Sequence, residues 1–241
     1  MVYRILFSST YSAVEKILLL VAFLLSATFA ISLHEFAHGF AAYKLGDPTA
    51  KIEGRLTVNP LAHFEPIGLV MFLLVGFGFA RPVPINPNNF TNYRKGLLIT
   101  SFAGVIANFI QTLVGFGLMV GLGYAFITLN TTSKALYYLM YFLFEFSLFL
   151  TLLNAVLIAF NLLPIFPLDG FRVVEAICKR ENGYIRFMRR YGAYILIGIV
   201  LVGFLMDRIG FPQGDVFGTY LSAVQKGILA LFEKIMGGII A

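Results

Sequence analysis

His34-Glu35-Phe36-Ala37-His38 is the stretch whose residue types and spacing could do chemistry. If it is helical, positions 34 and 38 lie one turn apart on one face. Two imidazoles so placed can share one Zn²⁺, and the glutamate beside the first is placed as a general base. A tetrahedral catalytic site then needs a third protein ligand and keeps a fourth position open. The setting sharpens a pattern that is short by itself. The chain has only three histidines, and two of them stand here, at the end of an apolar run with no charge from Ile17 to His34. A charged side chain at mid-membrane costs about 2.5–3.5 kcal/mol on insertion scales, so ionisable groups at that depth point to function. The ordinary alternative is a helix end at the water interface, where His and Glu carry little cost.

The elements that must position this stretch are those of a membrane protein. Of 241 residues, 59% are hydrophobic and 12% charged, and the mean hydropathy is +0.85. Soluble domains average about 45–50% apolar and about 25% charged. The expected class is an all-α polytopic membrane protein embedded in a lipid bilayer, with about four to six transmembrane helices. A single domain covers 1–241, its core at about 17–176, with a C-terminal span and amphipathic tail in 191–241. The net charge of +6 reads as Lys and Arg gathered in cytoplasmic loops, not as a nucleic-acid surface. Cys178 is alone, so no internal disulfide is possible.

Apolar runs predict spans at 17–43, 97–129, 135–163 and 191–206. The tail from Phe217 carries an apolar stripe, and Lys226, Glu233 and Lys234 favour an interfacial helix there. Between the first two long helices, Ala50-Lys51-Ile52-Glu53 and Arg55-Leu56-Thr57-Val58 alternate around Gly54. That alternation predicts short strands or a β-hairpin, whose edge could receive an unwound substrate strand. The apolar stretch 67–80 is too short to span and is expected to be re-entrant. With that topology the loops 44–66, 81–96 and 171–190 share one side and hold most of the Lys and Arg. The Lys44 end of the first helix and Asp169 are then both at the cytoplasmic face.

A carboxylate is a common third ligand beside two histidines. Asp169 is one candidate, and its competing role is to cap a helix starting at Gly170. Glu145, in the middle of an apolar run, is the rival, and its competing role is a buried carboxylate that is paired or protonated. His63 is expected to cap a turn. Spacing alone does not choose between Asp169 and Glu145.

The combination of His34-Glu35-Phe36-Ala37-His38 with the downstream Asn161-Leu162-Leu163-Pro164-Ile165-Phe166-Pro167-Leu168-Asp169-Gly170 resembles the site-2 protease family of intramembrane zinc metalloproteases. Gly104 and Asn108 match that family's Gly-x-x-x-Asn helix, and Arg81-Pro82-Val83-Pro84-Ile85-Asn86-Pro87 is similar to its compact members. The resemblance implies one Zn²⁺ per chain held by His34, His38 and Asp169. It implies that Glu35 is catalytic, and that Asn161 lies in the site and helps hold the substrate or the oxyanion. It also implies a minimal form without PDZ or CBS domains, a transmembrane protein or peptide as substrate, and a prokaryotic cell membrane as the setting. From the residues alone, a divalent-metal transporter is the alternative, because His, Glu and Asp inside a membrane also mark ion pathways.

Overall fold

The computed structural model describes residues 10–63, 65–68, 78, 80–129, 132–178, 180–211 and 214–240. Its elements are helices: α1 Ala13–Lys44, α2 Thr49–Ile52, α3 Tyr93–Thr128, α4 Lys134–Asn161, α5 Asp169–Ile177, α6 Gly183–Arg208 and α7 Val216–Ile240, with 3₁₀ turns at Pro60–Ala62 and Pro87–Asn89. Among the described residues four helices are long and apolar enough to cross a membrane: α1, α3, α4 and α6. The protein is therefore an integral membrane protein.

Local chemistry starts the long helices. Ser12 and Glu15 form a reciprocal capping box on α1. Asn92, Ser133, Asn182 and Asp215 accept hydrogen bonds from first-turn amides of α3, α4, α6 and α7. The cap at Asn92 starts α3 ahead of Arg94 and Lys95, four residues before the apolar run begins. The cap at Asn182 likewise turns half of the expected 171–190 loop into the first turns of α6.

The core is made by α1, α3 and α4. Pairs 34/108, 38/100 and 30/111 join α1 to α3 in antiparallel order. Contacts of Glu15 with Tyr137 and of Phe23 with Phe149 run α4 parallel to α1. Leu19, Ala22, Phe23 and Phe149 fill the half away from the motif. Small residues set the helix spacing, as they do where lipid offers no hydrophobic drive. A Cβ at Gly115 would lie 2.7 Å from Thr151 Oγ1, so α3 and α4 touch at that glycine. The tail helix α7 lies along α4 and antiparallel to it, with Tyr220 bonded to the carbonyl of Ala159 and Gln225 to that of Leu152.

The hairpin predicted around Gly54 does not form, and no strand occurs among the described residues. Thr49–Ile52 is a helical turn, Gly54 reverses the chain at φ +65°, and the amides of Arg55 and Leu56 both return to the carbonyl of Ala50. The reason is Asp47. Its carboxylate accepts from the amide and hydroxyl of Thr49, and that Asx-type start outweighs a weak two-residue alternation. The strand edge expected there for a substrate is therefore absent. The re-entrant segment expected at 67–80 lies mostly outside the described residues.

Candidate metal centre

His34 and His38 come from one face of α1, about 15 Å from its Lys44 end at 1.5 Å per residue for the first of them, and both are buried. Asp169 arrives from the far end of the sequence as the first residue of α5. Leu168 occupies the N-cap position, so the Asp169 side chain is not used as a cap and turns to the histidines. The next residue must be glycine: a Cβ at Gly170 would overlap the carbonyls of Leu162 and Leu163, where α4 ends. The Pro164–Pro167 linker, with a cis Phe166–Pro167 bond, brings α5 back under the bundle. Phe171 anchors it edge-on against Phe166. α6 closes over the linker through Tyr184, which donates to the carbonyl of Pro164, and through Arg189, which bridges Glu175 and Glu181.

Three ligand atoms meet. His34 Nε2 and His38 Nε2 are 2.9 Å apart, and Asp169 Oδ2 lies 3.3 Å from the first and 3.1 Å from the second. Tetrahedral zinc with bonds of about 2.0–2.1 Å separates its ligands by about 3.3 Å, which the triangle approaches on every edge. Outer contacts fix the tautomers. His38 Nδ1 donates to the carbonyl of Thr100 at 2.7 Å, and His34 Nδ1 to Asn108 Oδ1 at 3.1 Å. Both Nε2 atoms are then bare acceptors. Asp169 Oδ2 is buried and receives no hydrogen bond among the described residues. Three acceptors converging without a hydrogen between them repel unless a cation lies among them. The residues present fit a zinc ion on this observation, and among the described residues they form the one such group.

Helix α3 backs the pair. A Cβ at Gly104 would overlap His38 Nε2 and His34 Cε1 and sit 2.7 Å from His34 Nδ1. Only glycine lets α3 approach closely enough for Thr100 and Asn108, one turn on either side, to reach the two rings. The sequence pattern 104/108 carried this signal, but the pairing of Asn108 with His34 was not legible from it.

Glu35 is half-buried beside its neighbours. One of its oxygens, Oε2, accepts from the Val83 amide at 2.8 Å. The other expected residues sit as follows. Asn161 ends α4 with its Nδ2 donating to the carbonyl of Leu157 at 3.1 Å. Glu145 is half-buried on α4 and outside the ligand group. His63 closes the Pro60–Ala62 turn, its Nε2 donating to the carbonyl of Thr57 at 2.9 Å.

Sequence reasoning did not single out Asp47. Asp47 is fully buried and accepts from Thr49, from Asn89 Nδ2 at 2.8 Å and from the Asn86 amide at 2.7 Å. Burial alone would raise its pKa, but these bonds to the charged form outweigh burial and hold it below the usual carboxylate range.

Comparison with known proteins adds an independent line. A family model described as Peptidase family M50 matches residues 22–205. Over 208 residues the chain is 40% identical to YwhC of Bacillus subtilis, covering 86% of this chain and 88% of that one. It is 26% identical to Rip2 of Mycolicibacterium smegmatis over 184 residues, 74% of this chain and 66% of the relative. It is 28% identical to MJ0392 of Methanocaldococcus jannaschii over 213 residues, 87% of this chain and 50% of the relative. The words zinc metalloprotease stand in the names of all three. No solved structure gave a match.

Proposed function

The chain belongs to peptidase family M50 and is an intramembrane zinc metalloprotease, and we propose that His34, His38 and Asp169 hold its zinc while Glu35 serves as the general base. The observation that carries this assignment is the meeting of His34 Nε2, His38 Nε2 and Asp169 Oδ2 within 3.3 Å, with no hydrogen to separate them. A zinc ion there would polarise the scissile carbonyl and lower the pKa of an attacking water towards about 7. Glu35 Oε2 is held by the Val83 amide, which leaves Oε1 to take the proton of the attacking water and pass it to the leaving amine. Thr100 and Asn108 hold the two imidazoles in the tautomer that directs Nε2 inward. Asn161, at the end of α4, is the residue we assign to holding the substrate or its developing oxyanion, since its Nδ2 carries a second hydrogen beside the one given to Leu157.

The substrates are transmembrane segments of other proteins, or stretches next to them. The support is depth: the ligands lie inside the length of α1, buried among α1, α3 and α5. A helical segment hides its carbonyls in its own hydrogen bonds, so it must unwind locally before Glu35 and the metal can act on it. The site faces the cytoplasm of a prokaryotic cell. Lys44, Lys51, Arg55, Arg81, Arg94, Lys95, Arg186, Arg189 and Arg190 gather at the end of the bundle that holds the motif.

Two measurements test the assignment. Purified wild type should carry about one zinc per chain, and Asp169→Ala should lose most of it. Equal zinc in both would remove Asp169 from the ligand set. Glu35→Gln should keep its zinc and cleave a transmembrane peptide about 10²–10⁴ times more slowly. Cleavage at the wild-type rate would overturn the role of Glu35.

A further inference from the structure

The segment 81–86 has no regular secondary structure and forms a strap over α1 beside the motif. Pro82 and Pro84 carry no amide hydrogen, so those positions cannot donate to an added strand. Side chains bind the strap. Arg55, which is buried, donates from Nη2 to the carbonyls of Arg81 at 2.7 Å and Pro82 at 3.2 Å. Asp47 accepts the Asn86 amide at 2.7 Å. Between these two pins, the Val83 amide meets Glu35 Oε2 at 2.8 Å. The Val83 side chain lodges on α1 at Gly39, one turn beyond Glu35, where an added Cβ would come within 3.0 Å of Val83 Cγ1.

Two buried ionisable side chains, Asp47 and Arg55, thus each hydrogen-bond a short loop that donates an amide to the general base. We propose that Asp47 and Arg55 are positioning residues for Glu35: they pin the strap so that the Val83 amide fixes one carboxylate oxygen and leaves the other aimed at the metal position. This rests on the assignment of Glu35 as the base. A glutamate has three rotatable bonds, and a carboxylate held at one oxygen has far fewer orientations than a free one. The strap therefore acts on the chemical step and not on metal binding, because neither pin touches His34, His38 or Asp169.

The test uses the full-length zinc enzyme in proteoliposomes, with a fluorogenic transmembrane peptide as probe. Asp47→Asn and Arg55→Lys should each lower kcat by about tenfold to a hundredfold, the range expected for a small misplacement of a reacting group. KM should stay within about twofold and zinc content should be unchanged. Combined with Val83→Pro, which deletes the amide, Asp47→Asn should add little further loss, because both act through one hydrogen bond. Amide exchange of the 81–86 peptide should be faster in Asp47→Asn than in wild type, a readout that needs no substrate. Full multiplicativity of the two losses, a rise in KM with kcat unchanged, or loss of zinc would each overturn the proposal. If Asp47→Asn fails to fold, Arg55→Lys and Val83→Pro carry the same comparison. A wild type without zinc-dependent cleavage would instead sink the metalloprotease assignment itself.

Discussion

The two halves of the proposed site are built in different ways. The metal half stands on helices: the pitch of α1 spaces His34 and His38, the first turn of α5 supplies Asp169, and α3 presses its Gly104 face against both rings. The base half hangs on a loop. Glu35 takes its orientation from a strap that is itself held by two side chains of the 47–55 turn. A helix-borne ligand set cannot shift without moving a span, whereas a loop-borne contact can be loosened by one side chain. The difference separates metal affinity from turnover, so substitutions should sort cleanly into one effect or the other.

The sharpest way to break the metal half is Gly104→Val. The added carbons would occupy the space of His38 Nε2 and His34 Cε1. Zinc content measured by elemental analysis should fall to the background level, and zinc retained at the wild-type level would show that α3 does not set the ligand geometry. Asn108→Ala is the milder version. It leaves His34 Nδ1 without its acceptor, and zinc affinity in a chelator competition should weaken by about 10–100-fold, the usual cost of an outer partner. An unchanged affinity would remove Asn108 from the support of the ligand. Asn108→Ala does not touch the strap, so its zinc-loaded fraction should turn over close to the wild-type rate.

The smallest effect concerns pH and belongs to the other half. The carboxyl of Asp47 is held below its ordinary value of about 3.8 in the folded state. A depressed folded value means that its contribution to stability is fully present above about pH 3.8 and is lost as pH falls through the folded value. The thermal midpoint of wild type should therefore drop more steeply on acidification below about pH 4 than that of Asp47→Asn. Parallel acid limbs for the two proteins would mean that the Asp47 bonds are not held in the folded state.

Much of the molecule is legible in the chain. Apolar runs marked the four long helices because a membrane demands about 20 apolar residues per span, and the ends moved most where capping residues extended them, at Ser12, Asn92 and Asn182. The turn around 47–58 was misread. Its two-residue alternation was genuine, but one buried carboxylate at Asp47 took the amide of Thr49 and started a helix instead.

The sequence by itself determined which residues could make a metal site. A His-x-x-x-His pair is written into helix pitch, and a lone Asp-Gly after two prolines must begin a new element. What it left to the tertiary structure was everything that depends on distant segments meeting. Whether Asp169 caps its helix or turns to the histidines depends on how tightly α5 packs under the end of α4, which Gly170 decides. That Asn108 and Thr100 set the tautomers depends on α3 approaching to within contact at Gly104. That Glu35 is held by the Val83 amide depends on a strap pinned by Asp47 and Arg55. Apart from the approach of Gly170 to Leu162 and Leu163, these are through-space contacts between residues some 26 to 135 positions apart in sequence, and local propensity carries no record of them.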